Sequence, residues 1–146
     1  MKSIPVNELM TDHPFLISAD ATLQEAADLM KNANCGFLPV GTKQKVVGVI
    51  TDRDIVVRAI AEAKNPLTEK VSDYMSQPVH SCNENDVLED AGDKMQINKI
   101  TRLVVRNDHG YVVGVLSLGA LLRRDVGARE AARAVSHMLG SPTARA

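Results

Sequence analysis

The hydrophobic positions along this chain form a pattern that is written twice. Val6, Leu9 and Met10 sit at i, i+3 and i+4, and so do Val71, Tyr74 and Met75. That spacing predicts one helical turn with an apolar face. Pro14 and Pro78 follow, each leading into a short extended stretch, Phe15 to Ser18 and Val79 to Cys82. Leu23, Ala26, Ala27 and Met30 then make a helical stripe, matched by Leu88, Ala91, Gly92 and Met95. Thr22-Leu-Gln-Glu25 ahead of the first stripe reads as a capping box, in which hydroxyl and carboxylate satisfy free backbone N–H groups. Asp86-Val-Leu-Glu89 is expected to do the same for the second. Two β-branched-rich runs close each copy. Phe37 to Val40 and Val46 to Ile50 flank a polar turn, as do Leu103 to Val105 and Tyr111 to Leu116, so both pairs predict hairpins. Further helices are expected to start near Asp52 and near Leu118. Each copy therefore reads β-α-β-β-α.

The copies also match residue by residue. Val6-Asn-Glu-Leu-Met-Thr11 recurs as Val71-Ser-Asp-Tyr-Met-Ser76, 65 residues on. Leu38-Pro-Val40 recurs as Leu103-Val-Val105, and Val47-Gly-Val-Ile-Thr51 as Val113-Gly-Val-Leu-Ser117. Three matches kept in order establish an internal duplication. The expected organisation is a first repeat over 1–65, a second over 66–124 and a helical tail over 125–146. The linker Lys64-Asn-Pro-Leu67 is polar and carries a helix-breaking proline. One repeat buries little core alone. The expected fold class is α+β, an α/β sandwich of tandem repeats packed with pseudo-two-fold symmetry around a central cleft.

Composition narrows the function. Net charge is −1 over 146 residues, and there are no Trp, two Tyr and two Phe. A nucleic-acid backbone would find no basic excess, and bases few stacking platforms. The N-terminal residues lack the apolar stretch of a signal peptide, and no run approaches the length of a membrane span. A cytoplasmic protein is expected, with Cys35 and Cys82 reduced and packed as small hydrophobes. Two cysteines and scattered His13, His80, His109 and His137 offer no metal-ligand spacing. Asp52 and Asp54 resemble a carboxylate pair for acid–base work, but no nucleophile or histidine motif converges on them. The chain is read as no enzyme, with no catalytic residue, no metal and no catalytic cofactor.

The Met10-Thr-Asp-His-Pro14 opening, Thr22-Leu-Gln-Glu-Ala26, Leu38-Pro-Val40 and Gly48-Val-Ile-Thr-Asp-Arg-Asp-Ile55 resemble cystathionine-β-synthase-type (CBS) repeats. The resemblance covers about residues 4–124, and a pair of such repeats is often called a Bateman module. It implies a regulatory, signal-transducing module that binds an adenosine-containing ligand between repeats and changes shape to regulate a partner. AMP, ATP or NAD is the expected ligand. S-adenosylmethionine is less favoured, because its sulfonium would meet Arg102 instead of a carboxylate. A homodimer with an unknown regulated protein is the expected assembly.

The site the resemblance implies takes Val49, Ile50, Thr51, Arg53 and Asp54 from the first copy. From the second it takes Ser76, Val79, Ile100, Thr101 and Arg102. Asp54 would grip the ribose diol, since a carboxylate accepts what two hydroxyls donate. The Thr51 hydroxyl would lie near phosphate, at a helix N-terminus that favours anions. Val79 and Ile100 would sandwich adenine, and the Arg102 guanidinium would fork onto phosphate. Read without the family, Asp54 is a first-turn carboxylate complementing the helix dipole, and Asp52 is an N-cap. Gly48 is expected to allow a close backbone approach. A weaker second site would be lined by Thr11, Phe15, Gly36, Phe37 and Ser117, because Ala120 stands where the ribose-gripping Asp belongs. The alternative function is a ligand-free dimerisation or inhibitory scaffold.

Overall fold

The computed structural model describes residues 3–119; the expected tail over 125–146, and Ala120, lie outside the described residues. In chain order the strands are β1 (Thr11–Asp12), β2 (Phe37–Gly41), β3 (Val46–Thr51), β4 (Ser81–Asn83), β5 (Arg102–Arg106) and β6 (Val112–Ser117). The helices are α1 (Leu23–Ala33) and α2 (Leu88–Asn98), with a π helix over Asp54–Ile60 and single 3₁₀ turns at Val6–Glu8 and Val71–Asp73. The fold is α+β, as the pattern of the sequence requires.

The chain divides into two compact units, and their boundaries differ from those of the repeats 1–65 and 66–124. One unit is continuous, Pro14–Val79; the other combines the described residues up to His13 with those from His80 to 119. The opening turn of each copy thus belongs to the core formed by the hairpin and helix of the other copy.

In the continuous unit, β2 and β3 form the expected hairpin, with Leu38 opposite Ile50. Leu23, Leu38, Val40, Ile50 and Val71 are wholly buried, with Ala26, Met30, Ala59 and Tyr74 around them. Val71 and Tyr74 are the i and i+3 residues of the second copy's opening turn. That turn is fixed by backbone bonds from Val71 N–H to the Ala21 carbonyl (2.9 Å) and from Leu23 N–H to the Glu69 carbonyl (3.0 Å). Helix α1 is capped as expected, its Thr22 hydroxyl accepting from the Glu25 N–H at 3.1 Å. It ends at Asn34, in the left-handed region at φ 52°.

The discontinuous unit repeats this plan. Its sheet runs β1-β6-β5-β4, with β4 parallel to β5 and the other pairs antiparallel. Val6 and Leu9 pack with Cys82, Leu88, Ala91, Met95, Leu103, Val105 and Leu116. Val6 N–H donates to the Asp86 carbonyl at 2.8 Å and Leu88 N–H to the Ile4 carbonyl at 2.9 Å, the counterparts of the bonds above. The physical reason for the exchange is the hairpin edge. Unpaired N–H and C=O groups along β6 need a partner, and Thr11 and Asp12 supply it opposite Val115 and Gly114.

One cap differs from expectation. The N-cap of α2 is Val87, which has no side-chain cap bond. Asp86 instead turns its carboxylate back to the Asn83 N–H at 3.0 Å. The 65-residue offset pairs Thr22 with Val87, so the second copy carries no hydroxyl at the capping position.

Candidate functional site

Strand β3 ends at Thr51, and helical backbone begins at the next residue. The turn is closed by two reciprocal bonds. Asp54 N–H donates to Thr51 Oγ1 at 3.1 Å, and Thr51 N–H donates to Asp54 Oδ2 at 2.9 Å. This is a capping box, with Thr51 as the cap and Asp54 three residues on. The expectation that Asp52 caps this helix is corrected. Asp52 Oδ1 accepts only from the next N–H, that of Arg53, at 2.9 Å. The Asp52 carboxylate also lies over Gly36: a Cβ on Gly36 would fall 2.5 Å from Asp52 Oδ2. A side chain at Gly36 would therefore require the exposed Asp52 carboxylate to move aside.

The box leaves two groups open to chemistry. The Thr51 hydroxyl accepts one bond and keeps its proton to donate. Asp54 Oδ2 is committed, while Oδ1 faces Arg58 Nη1 at 3.9 Å, and the Asp54 side chain keeps 17% of its surface exposed. Arg58 Nη1 also donates to the Tyr74 carbonyl at 2.6 Å. Arg58 was missed by motif reading, although its i+4 spacing from Asp54 is a legible signal.

Val49 and Ser76 form a two-way bridge, Ser76 N–H to the Val49 carbonyl at 2.7 Å and Val49 N–H to the Ser76 carbonyl at 3.1 Å. Beside it, a Cβ on Gly48 would sit 2.7 Å from Met75 Sδ and 3.1 Å from the Ser76 carbonyl oxygen. Gly114 has the matching crowding, 2.6 Å from Met10 Sδ and 2.9 Å from the Thr11 carbonyl oxygen. Both glycines are close-approach positions. Tyr74 is anchored further by Glu69: burial first, then this carboxylate, raise its hydroxyl above the ordinary tyrosine value.

Of the expected site residues, Val49, Thr51, Arg53, Asp54, Ser76 and Val79 fall in the continuous unit, with Phe15, Gly36 and Phe37. Ile50 lies there too, but its side chain is wholly buried in the core, leaving only main chain for a ligand. Alternation along β3 is the cause, since Ile50 points opposite to Val49 and Thr51. Phe37 pairs with Thr51 across the hairpin, and Phe15 is 57% exposed. Ile100, Thr101, Arg102, Thr11 and Ser117 belong to the discontinuous unit. There Ile100 packs against the core, the Thr101 carbonyl accepts from Leu118 N–H at 3.1 Å, and Arg102 opens β5 opposite Ser117. Among the described residues no group of three His, Cys, Asp or Glu side chains is placed to hold a metal, and no helix is long and apolar enough to cross a membrane.

A duplicated α+β repeat whose hairpin runs into a Thr–Asp capping box defines a tandem-repeat module. Comparison with known proteins gives the family: the CBS domain matches at residues 6–60 and 71–127, and the chain belongs to the CBS domain proteins. The CBS domain-containing protein YhcV of Bacillus subtilis is 36% identical over 133 residues, 91% of this chain and 94% of that protein. The inosine-5′-monophosphate dehydrogenase of Methanocaldococcus jannaschii is 32% identical over 119 residues, but these make up only 23% of the enzyme. Among solved structures, a CBS domain protein from Pyrobaculum aerophilum complexed with AMP superposes with a TM-score of 0.77 at 27% identity, covering 88% of this chain and 98% of that one.

Proposed function

We propose that this protein is a regulatory sensor whose Thr51–Asp54 turn binds an adenosine-containing ligand. The observation that carries the reading is the capping box. It anchors Asp54 by one carboxylate oxygen and leaves the other as an acceptor, and so presents a pre-positioned carboxylate to a ribose diol. A preorganised acceptor gains affinity because little rotamer entropy is lost on binding. The Thr51 hydroxyl supplies a donor beside it. The AMP complex of the Pyrobaculum aerophilum relative supports AMP as the first ligand to test, with ATP and NAD next. The proposal extends to Val79, in the same unit, as an adenine contact of this ligand.

Calorimetric titration of AMP, ATP, NAD and S-adenosylmethionine into ligand-stripped wild type and Asp54→Asn tests this. Loss of a charge-assisted bond costs about 1.5–3 kcal/mol, roughly ten- to a hundredfold in affinity. Binding that Asp54→Asn weakens by that factor supports the sensor. No binding to wild type removes it.

A second reading, a ligand-free dimerisation or inhibitory scaffold, is favoured by Val56, Val57 and Ile60. These are 57%, 45% and 50% exposed on one helix. Sedimentation of Val56→Lys, Val57→Lys and Ile60→Lys variants against wild type checks whether that face holds a homodimer together.

A further inference from the structure

One nitrogen of Arg58 reaches two elements of the candidate site. Nη1 donates to the Tyr74 carbonyl at 2.6 Å and stands 3.9 Å from Asp54 Oδ1. Two residues after Tyr74, Ser76 makes its two-way bridge to Val49. A guanidinium is planar and presents five donors in fixed directions, so one bond to the Tyr74 carbonyl orients the whole group. We propose that Arg58 is a positioning residue, which aims Asp54 Oδ1 at the ribose and tethers the Tyr74–Ser76 backbone to the same carboxylate.

The distances give this role its physical content. A carboxylate held at Oδ2 alone can swing about that bond. The positive charge 3.9 Å from Oδ1 restrains the swing, yet lies too far to fill the lone pairs of that oxygen. Oδ1 therefore remains an acceptor for ribose hydroxyls. The Arg58 side chain is 46% exposed, and an ion pair so open to water adds little to fold stability. Its consequence is expected in ligand discrimination. The aiming role rests on the reading that Asp54 grips ribose; the tether does not.

Two measurements on Arg58→Met and Arg58→Lys separate these. The first is calorimetry with AMP and with 2′,3′-dideoxyadenosine monophosphate, which lacks the ribose hydroxyls. Arg58→Met is expected to weaken AMP about tenfold while leaving the dideoxy probe within about twofold of wild type. Adding it to Asp54→Asn is expected to change AMP affinity by less than about twofold. Arg58→Lys, a point charge without the fork, is expected to restore only part of the AMP affinity. Equal losses for the two probes overturn the aiming role, because a general loosening would weaken both. The second measurement is amide hydrogen exchange without ligand. Ser76 and Val49 are expected to exchange faster in Arg58→Met, with Leu38 unchanged; unchanged exchange at Ser76 overturns the tether. Failure of wild type to bind AMP overturns the ribose reading and the aiming role together, and hydrogen exchange still decides the tether.

Discussion

The capping box at the end of β3 can be dismantled one bond at a time. Thr51→Ala removes Oγ1 and leaves the Asp54 N–H without its partner at 3.1 Å; Asp54→Ala removes Oδ2 and strands the Thr51 N–H. Loss of a cap costs about 1 kcal/mol. Water reaches this turn, with 17% of the Asp54 side chain exposed, so the larger penalty of a buried orphan donor does not apply. Each bond also holds the side chain that makes the other. The double substitution is therefore expected to cost about 1.5 kcal/mol, less than the sum of the singles. Thr51→Ser and Asp54→Asn each keep an acceptor in place and should stay within about 0.5 kcal/mol of wild type. Urea unfolding followed by circular dichroism reads this directly. With a slope of about 1–3 kcal/mol per molar, a 1 kcal/mol loss moves the midpoint by about 0.3–1 M. A Thr51→Ala midpoint equal to wild type, or a double variant as costly as the summed singles, would refute the reciprocal lock.

Three further outcomes are expected. Ala63, in the turn after the Asp54–Ile60 helix, lies in the left-handed region at φ 58°, so Ala63→Gly relieves strain and should raise stability by about 0.5–1 kcal/mol in the same urea assay. Gly48→Ala places a methyl 3.1 Å from the Ser76 carbonyl oxygen; it should cost about 1–3 kcal/mol and speed amide exchange at Ser76 and Val49. Burial pushes the Cys82 thiol up to about 11 from 9.0, with the Asp86 charge adding to the effect and Lys94 opposing it. The folded state therefore keeps a proton that the unfolded chain releases, so this contribution is complete below pH 9 and is lost as pH rises towards 11. Wild type should lose about 2 kcal/mol more than Cys82→Ala between pH 8 and 10.5, read from urea midpoints.

The hairpins, the two helices and the Thr51–Asp54 turn were legible because each is a local pattern. Leu23, Ala26 and Met30 bury as their spacing requires, and β2–β3 pair within a residue of the expected ends. The exchange of opening turns was not legible. Val6 and Leu9 carry the same apolar spacing as Val71 and Tyr74, so either turn satisfies either core by pattern alone. Asp86 misled for a related reason. An acidic residue three places before Glu89 imitates a capping box, and only the repeat offset points to Val87. At the candidate site, sequence named Thr51 and Asp54 but not their bonds to each other. The i+4 spacing of Arg58 from Asp54 was there to be read, but its bond to a backbone carbonyl 16 residues away was not, because carbonyls carry no sequence signature.

The cut at His13 and His80 also bears on the order in which the protein is made. A ribosome releases Pro14–Val79 as one uninterrupted stretch, with every core residue of that unit present once Val79 has emerged. Val6, Leu9 and Thr11 leave the ribosome earlier, yet their packing and strand partners, Cys82 to Leu116, are made after Val79. Domains tend to fold as units during synthesis. Here residues 14–79 are complete before the partners of Val6, Leu9 and Thr11 exist, and those three residues wait until Leu116 has been made.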